Sequence, residues 1–170
     1  MVKKIIITGG LGYIGTELCK IYSGVSWHHK VIVLDNRFVS ERVNQIRNWN
    51  MEFIHGDILD RDLVKKIFKD ADIVHHLAGV TSVPRVKDEA SDEINNNIKK
   101  VGEEGTQNIL TAINDKCIII FPSTHVIYEG IEKVKNNIKE DEDPKPVLSY
   151  SSSKATNERQ LKESGKNYVI

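Results

Sequence analysis

Short apolar runs alternate with longer amphipathic segments along the chain. The runs have the length and the β-branched content of buried strands, and they span Ile5–Thr8, Val31–Leu34, Glu52–Ile54, Ile73–Leu77 and Ile118–Pro122. The segments between them follow helical patterns at Tyr13–Ser23, Asp60–Lys69, Glu93–Ile113 and Ser149–Glu163. Strands that alternate with helices predict βαβ units, so we expect an α/β fold built on a doubly wound parallel sheet with helices on both faces.

The sequence shows neither an internal repeat nor a linker, which predicts one domain over residues 1–170. Its loop-like segment is Glu129–Leu148, rich in Lys, Asn, Glu and Pro. The last residues, Lys166–Ile170, have the pattern of a sixth strand that has barely begun. We therefore expect the domain to stop before that strand is complete, leaving a sheet edge and an apolar face exposed. On this basis we predict that the isolated chain associates with itself.

Charge and hydropathy narrow the function classes. The chain has 170 residues with 24 basic and 24 acidic side chains, so it lacks the basic footprint of a nucleic-acid binder. No apolar run in the sequence reaches the roughly 20 residues of a membrane span, and no signal-peptide pattern precedes the first strand. Cys19 and Cys117 lie far apart, which is typical of reduced core thiols. We expect a cytoplasmic protein that binds neither nucleic acid nor membrane.

A glycine-rich turn, TGGLGYIG, follows the first predicted strand and precedes the first helix. Two fingerprints overlap in it, because Gly10, Gly12 and Gly15 spell G-x-G-x-x-G while Gly9, Gly12 and Gly15 spell G-x-x-G-x-x-G. Both are typical of a dinucleotide site, in which glycines let the backbone approach a pyrophosphate at the positive end of a helix. A glycine-rich loop without a ligand is the alternative interpretation.

Acidic residues support the nucleotide interpretation. Asp35 ends the second predicted strand twenty residues after Gly15, where a carboxylate receives the adenine-ribose hydroxyls. A carboxylate there repels a 2′-phosphate and so favours NAD over NADP, although Arg37 lies two residues away. Asp57 follows the third strand and is a candidate to bond the adenine amino group. A helix cap is the alternative for Asp57 and also for Asp60.

A pair of residues near the end of the chain suits proton transfer. Tyr150 and Lys154 are spaced i and i+4, so a helix places them on one face. A neighbouring ammonium favours the phenolate and lowers the pKa of a tyrosine from its usual value of about 10 toward that of a general base. Ser123 and Thr124 follow the fifth strand, at the sheet edge where α/β proteins bind ligands, and a hydroxyl there could bond a substrate oxygen. An exposed helix pair and strand-end capping are the alternatives.

The histidines give weaker indications. His28–His29 precedes a strand and His75–His76 lies in or at the end of one. Neither pair has metal-ligand spacing on one helical face, so we expect structural roles and no metal. His125 follows Thr124 at the ligand edge and is a candidate for contact with a substrate.

Taken as a set, the motifs resemble those of the extended short-chain dehydrogenase/reductase superfamily, in particular its NAD-dependent nucleotide-sugar epimerases and dehydratases such as UDP-glucose 4-epimerase. They occur in that family's order along the whole chain, as TGGLGYIG, LDN, GDILD, HLAG, EGTQNIL, STHVIY and EDEDPKPVLSYSSSK. The resemblance implies a Rossmann-like sheet, NAD as cofactor and a nucleotide sugar, a UDP-hexose, as substrate. It also selects the G-x-x-G-x-x-G reading of the glycine turn.

The resemblance assigns roles residue by residue. The matching cofactor-binding positions are Gly9, Gly12, Tyr13, Ile14, Gly15, Asp35, Asn36, Asp57, Ile58, Leu77, Ala78, Gly79, Tyr150 and Lys154. The catalytic positions are Thr124, Tyr150 and Lys154, and the expected substrate contacts are Thr124, His125 and Tyr150. Tyr150 would take the proton of a sugar hydroxyl while NAD accepts hydride. The resulting ketone would then be reduced on its other face or dehydrated.

Three features depart from the family pattern. The dehydratase branch has Asp-Glu directly after its catalytic Thr, whereas this chain has His-Val, which disfavours a 4,6-dehydratase. Gly102 replaces an Asn of the family, and Asn97 is a candidate substitute. The family also continues well beyond the position of Ile170, into a small C-terminal domain that grips the nucleotide sugar.

Other functions stay open. A nucleotide-binding module without catalysis, acting through a partner, fits a sequence with no substrate domain. A reductase of small carbonyls or sterols would share the fold, although LDN and GYIG point away from it. Family members pair through two helices of each subunit, so the resemblance implies a homodimer formed by the helix near Glu93–Ile113 and the helix that carries Tyr150.

Overall fold

A computed structural model describes residues 1–81, 91–132 and 136–170 of the chain. Its strands are β1 (Lys4–Thr8), β2 (Lys30–Asp35), β3 (Glu52–His55), β4 (Ile73–His76), β5 (Ile118–Ile120) and β6 (Asn167–Val169). Its α-helices are α1 (Tyr13–Tyr22), α2 (Ser40–Asn48), α3 (Arg61–Phe68), α4 (Asp92–Lys99), α5 (Gly105–Ala112) and α6 (Ser149–Glu163). A π-helical turn, Lys100–Glu104, joins α4 to α5, and a 3-10 helix spans His125–Tyr128.

The described strands form one parallel sheet in the order β3-β2-β1-β4-β5-β6. The central pair, β1 and β4, is in register from Ile5 opposite Ile73 to Thr8 opposite His76. The chain runs outward from β1 to β3 and then back across the centre through β4 to β6. The carboxyl ends of β1 and β4 therefore mark a change of direction, where open α/β sheets bind ligands. The predicted α/β fold, a Rossmann-like doubly wound parallel sheet with helices on both faces, is confirmed.

Two apolar layers cover the sheet, because successive strand residues point to opposite faces. On one face α1 and α2 pack on the strands through the buried side chains Cys19, Val43, Ile46, Ile5, Ile7, Val31 and Val33. On the other face α3, α5 and α6 pack on the strands through Val64, Phe68, Ile109, Leu161, Ile6, Val74 and Ile119. Both cysteines are buried and unpaired, as predicted.

The structure differs from the predicted elements in three places. Helix α2 was missed because its sequence, SERVNQIRN, is polar and buries only Val43 and Ile46, and because its N-cap residue, Val39, has no capping side chain. The single helix predicted over Glu93–Ile113 is α4, the π-helical turn and α5 in succession. The fifth strand ends at Ile120, ahead of a proline that has no N–H for a further ladder bond.

One part of the sheet carries apolar side chains in contact with solvent. Ile118 of β5 and Val169 of β6, two strands that α1 and α2 do not cover, are 41% and 54% exposed. Strand β6 is exposed along its whole length. Exposed apolar surface of this kind is a site for association with other apolar surfaces.

Candidate active site

A groove with a volume of about 580 Å³ opens at the carboxyl ends of the strands. This volume lies within the roughly 300–1,000 Å³ typical of small-molecule sites. The turns that follow the first five strands line the groove together with residues of α4, the π-helical turn and α6. Every cofactor-binding residue predicted from the sequence is in that lining: Gly9, Gly12, Tyr13, Ile14, Gly15, Asp35, Asn36, Asp57, Ile58, Leu77, Ala78, Gly79, Tyr150 and Lys154.

The glycine turn brings backbone atoms to the wall of the groove. Gly9 has a φ of +67°, and a Cβ on it would lie 2.8 Å from the backbone nitrogen of Ala78. A Cβ on Gly15 would lie 2.4 Å from the carbonyl oxygen of Gly9. Gly10 instead is buried in the core, where a Cβ would lie 2.2 Å from Cγ1 of Val33. The glycines of the G-x-x-G-x-x-G reading thus face the groove, and the extra glycine serves packing.

Asp35 is held rigidly at the end of β2. Its side chain is 4% exposed. One carboxylate oxygen accepts a hydrogen bond from the Leu11 N–H and the other from the Arg37 N–H, both at 2.9 Å. The guanidinium Nε of Arg37 lies 3.5 Å from the same carboxylate. Arg37 is thus paired with the carboxylate through its Nε, while its side chain is 59% exposed and lines the groove.

The next acidic residues have distinct roles. Asp57 accepts from the side-chain Nδ2 of Asn36 at 3.1 Å and from the N–H of Leu59 at 2.9 Å, and it lines the groove. Asp60 caps helix α3, since its carboxylate accepts from the N–H groups of Asp62 and Leu63 at 3.1 and 3.0 Å. The capping interpretation of Asp60 is confirmed, whereas Asp57 faces the candidate site.

Tyr150 and Lys154 lie one turn apart on α6 and both reach the groove. The Lys154 Nζ donates to the carbonyl oxygen of Pro122 at 3.0 Å and lies 4.2 Å from the centre of the Phe121 ring. Burial lowers the pKa of Lys154 to about 8, against the opposing effect of Glu158. Burial raises the pKa of Tyr150 above its usual 10. In this structure the ammonium is directed at Pro122 and Phe121, so the depression of the Tyr150 pKa by Lys154 stays a prediction.

Of the two hydroxyl residues after β5, Ser123 lines the groove and Thr124, the predicted substrate contact, does not. Thr124 Oγ1 accepts from the Val126 N–H at 3.3 Å and so caps the 3-10 helix. Ser123, not Thr124, belongs to the groove lining, and its hydroxyl donates to Glu158. His125 is exposed and, like Thr124, lies outside that lining. The structure therefore brings Tyr150 to the groove and leaves Thr124 and His125 beside it.

Sequence reasoning missed two carboxylates that support α6. Glu158 is 8% exposed and lies one turn beyond Lys154. Tyr150, Lys154 and Glu158 are each four residues apart, and this spacing is the sequence signal that points to Glu158. Glu129 accepts from the Val147 and Leu148 N–H groups, both at 2.7 Å, and from the Ser151 hydroxyl. It thereby holds the two residues ahead of α6 and the Ser151 hydroxyl of its first turn, from a position twenty residues before the helix begins, which no local pattern indicates.

Gly102 stands where the family resemblance places an Asn, and Asn97 is the candidate to replace that Asn. Gly102 lies in the π-helical turn, and a Cβ on it would lie 2.2 Å from the Ser153 Oγ. The Ser153 hydroxyl would have to rotate away to admit a side chain at this position. Asn97, the candidate substitute, lies one to two turns earlier on α4 and lines the groove together with Val101. π-Helical turns are frequent at functional sites because they shift the register of a helix.

Two further properties bear on the class of site. Among the described residues, no group of three or more His, Cys, Asp or Glu side chains is placed to hold a metal ion. Within the same described part of the chain, no helix has both the length and the apolar character needed to cross a bilayer.

Comparisons with known proteins place this geometry in a family. The model of the NAD dependent epimerase/dehydratase family matches residues 5–170. The dTDP-D-glucose 4,6-dehydratase of Dictyostelium discoideum is 30% identical over 186 residues, covering 99% of this chain and 42% of that protein. The UDP-glucose 4-epimerase of Neisseria meningitidis serogroup B is 31% identical over 170 residues, covering 94% of this chain and 47% of that protein.

A solved structure agrees with the sequence relatives. It is a variant of the UDP-glucuronic acid 4-epimerase of Bacillus cereus, in complex with NAD and UDP-4-deoxy-4-fluoro-glucuronic acid. It superposes with a TM-score of 0.80 at 25% identity, covering 98% of this chain and 55% of that one. The chain spans less than half the length of the two curated relatives. With the family model matched over nearly all of its residues, the chain belongs to the NAD-dependent epimerase/dehydratase family.

Proposed function

We propose that this chain forms the NAD-binding domain of a nucleotide-sugar epimerase that oxidises a sugar hydroxyl transiently, with Tyr150 as the base. The observation that carries the proposal is that one groove collects the glycine turn, Asp35, Tyr150 and Lys154. The names of the relatives supply the substrate class, a UDP-hexose or a close analogue. The His-Val pair after Thr124 favours epimerisation over dehydration.

The residues of the groove fit NAD. The turn at Gly9, Gly12 and Gly15 leaves room for a pyrophosphate at the start of α1, where the helix dipole and backbone N–H groups attract an anion. A carboxylate has about four acceptor positions, so Asp35 keeps capacity for ribose hydroxyls beyond its two backbone bonds. Because the Asp35 carboxylate would repel a 2′-phosphate, the site favours NAD over NADP. Asp57 would accept from the adenine amino group. Bound NAD supplies the acceptor and donor of hydride.

Proton transfer falls to Tyr150. Its raised pKa means that the phenol is protonated at neutral pH in the structure as it stands. Lys154 is the cation one turn away, and it would stabilise the phenolate on leaving the Pro122 carbonyl oxygen. We expect this movement of Lys154 to accompany cofactor binding. Thr124 would bond the substrate oxygen by giving up its cap on Val126, whereas Ser123 already lines the groove.

The activity is tested by incubating the purified protein with NAD and UDP-hexoses and separating the sugar nucleotides by chromatography. A positioned general base contributes roughly 10²–10⁴-fold, so Tyr150→Phe is expected to lower turnover by at least about a hundredfold. The matched control is Tyr168→Phe in exposed strand β6, which is expected to retain turnover. A wild type that turns over substrate and a Tyr150→Phe variant that does so equally fast would refute Tyr150 as the base.

A second candidate function is an NAD-binding module that acts through a partner without catalysis. It is favoured by the Thr124 hydroxyl, which is engaged in a cap rather than presented to the groove. Such a module would bind NAD in the same assay and interconvert no sugar. A reductase of small carbonyls or sterols would instead consume NADH with a carbonyl substrate. The homodimer implied by the resemblance, through α4–α5 and α6, stays a prediction that sedimentation analysis can check.

A further inference from the structure

A chain of buried polar side chains runs beneath the groove, from the centre of the sheet to α6. Its members are Thr8, His76, Thr106 and Asn157, each at most 3% exposed. Polar groups at this depth destabilise a fold unless they are hydrogen-bonded. Four such residues in contact therefore indicate a network whose polar groups hydrogen-bond to one another. The residues come from four different elements: β1, β4, α5 and α6.

His76 occupies the middle of this network. Its Nδ1 lies 3.1 Å from Oγ1 of Thr8, and its Nε2 lies 2.9 Å from Oγ1 of Thr106. The same Thr8 oxygen accepts from the N–H of Leu77 at 3.1 Å and from the N–H of Ala78 at 3.0 Å. Leu77 and Ala78 form part of the groove wall. One end of the network therefore holds the backbone beside the candidate cofactor.

The other end of the network reaches the helix that carries Tyr150. The side-chain Nδ2 of Asn157 on α6 has three acceptors within reach: the carbonyl oxygen of Gly102 at 3.0 Å, and Oγ1 of Thr106 and Oε1 of Gln160 at 3.1 Å each. Asn157 lies one turn after Lys154. The Phe121 ring provides a second connection between His76 and α6. Its centre lies 5.6 Å from that of the His76 ring, and the Lys154 ammonium lies over it.

The donors that surround Thr8 favour one tautomer of His76. A hydroxyl oxygen has two lone pairs, and those of Thr8 are taken by the N–H groups of Leu77 and Ala78. The Thr8 hydrogen must then be donated to Nδ1 of His76, which is unprotonated. Nε2 carries the imidazole hydrogen and donates it to Thr106. Burial, with a smaller contribution from the Lys154 charge, lowers the pKa of His76 to about 3, which keeps the ring neutral.

We propose that His76 is a positioning residue: as a neutral, Nε2-protonated imidazole it fixes α6, with Tyr150 and Lys154, against the Leu77–Ala78 wall of the groove. The consequence for NAD binding rests on the proposed function. The linkage between β4 and α6 is a property of the fold and can be measured without any cofactor.

The neighbouring histidine provides a matched control. His75 lies on the same strand but faces the opposite side of the sheet, where its Nε2 lies 2.7 Å from the Tyr22 hydroxyl of α1. It is 8% exposed, so its burial is close to that of His76. A substitution at His75 removes a buried imidazole and its hydrogen bond without touching the network that leads to α6.

The tautomer is tested on the wild-type protein by nitrogen–proton correlation spectroscopy of ¹⁵N-labelled histidine. The expected spectrum at neutral pH shows His76 with a protonated Nε2 and an unprotonated Nδ1. A spectrum of the Nδ1-protonated tautomer, or of the imidazolium, would overturn the proposal. This measurement requires no variant and does not depend on NAD.

The linkage is tested by amide hydrogen exchange of α6 in His76→Phe, His76→Gln and His75→Phe. Phe keeps the ring but leaves the Thr8 and Thr106 hydroxyls without His76, so exchange around Lys154–Glu158 is expected to rise by about tenfold or more. Gln keeps a donor toward Thr106 and should fall between Phe and the wild type. His75→Phe should leave α6 unchanged. If His76 merely fills space, His76→Phe exchanges like the wild type, and the proposal fails.

NAD titrations of the same proteins complete the test. The dissociation constant is expected to rise by about tenfold in His76→Phe and by less than about twofold in His75→Phe. Equal weakening in both variants would overturn a specific role for His76. Failure of the wild type to bind NAD would instead overturn the proposed function, and the tautomer and exchange measurements would still decide the role of His76.

Discussion

The substitution Gly15→Ala tests how the packing of α1 on β1 creates the groove. A Cβ at this position would lie 2.4 Å from the Gly9 carbonyl oxygen and 2.6 Å from the Gly10 Cα, where ordinary contacts are 3.4–4 Å. Both neighbours are backbone atoms, so no side-chain rotation relieves the overlap. The start of α1 must therefore move away from β1 by about 1 Å, and the glycine turn that lines the groove moves with it.

The expected cost follows from the mechanism. Overpacking in a well-packed region destabilises by roughly 1–3 kcal/mol. For a domain of this size, 1 kcal/mol corresponds to roughly 2–4 °C, so the melting temperature of Gly15→Ala should fall by about 2–12 °C. Gly79→Ala is the matched control, because Gly79 also lines the groove but a Cβ on it would meet nothing within 4 Å. Its stability should stay within about 0.5 kcal/mol of the wild type.

The assay combines thermal unfolding, followed by circular dichroism, with NAD titration of the two variants and the wild type. Gly15→Ala is expected to lose both stability and NAD affinity, while Gly79→Ala retains its stability. A Gly15→Ala protein that melts at the wild-type temperature would refute the packing argument. So would a Gly79→Ala protein that loses as much stability as Gly15→Ala.

Three further predictions concern the cap of α3, the buried lysine and the exposed sheet face. Asp60→Ala removes the α3 cap and should lower the free energy of unfolding by about 0.5–2 kcal/mol in urea titrations, whereas Asp62→Ala in the same turn should have a smaller effect. Burial lowers the pKa of Lys154 from 10.5 to about 8, so between these pH values the unfolded chain binds a proton that the folded chain does not. The difference in unfolding free energy between the wild type and Lys154→Met should therefore rise with pH across that window and stay constant below it. A difference that does not change with pH would contradict a lowered pKa of Lys154. Ile118 and Val169 are 41% and 54% exposed, so the protein should self-associate in light scattering, and Ile118→Thr should reduce the association; a wild-type monomer at high concentration would count against this.

The fold could be predicted where burial and periodicity coincide. Strands β1 and β2 are apolar runs because both of their faces are covered, and α6 has the bounds that the sequence indicated. Helix α2 could not be found, since a short helix with two buried residues and no capping side chain has almost no amphipathic signal. Its position is decided by packing against the sheet rather than by its own sequence.

The candidate site was predictable as a set of motifs but not as a set of contacts. The glycine turn and Asp35 are local features whose spacing carries the information. The partner of Lys154 is a carbonyl oxygen more than thirty residues away, and that long-range contact sets the direction of its ammonium. The network through His76 likewise joins residues from four elements. Such contacts exist only once the sheet has formed, so no local pattern signals them.

The central claim, that the groove is an NAD site, is tested most directly by calorimetric titration of the purified protein with NAD and NADP. One NAD molecule should bind per chain, more tightly than NADP, because the Asp35 carboxylate at the groove repels a 2′-phosphate. Asp35→Asn should narrow the difference between the two dinucleotides. Absence of NAD binding by folded protein, or tighter binding of NADP than of NAD, would contradict the account.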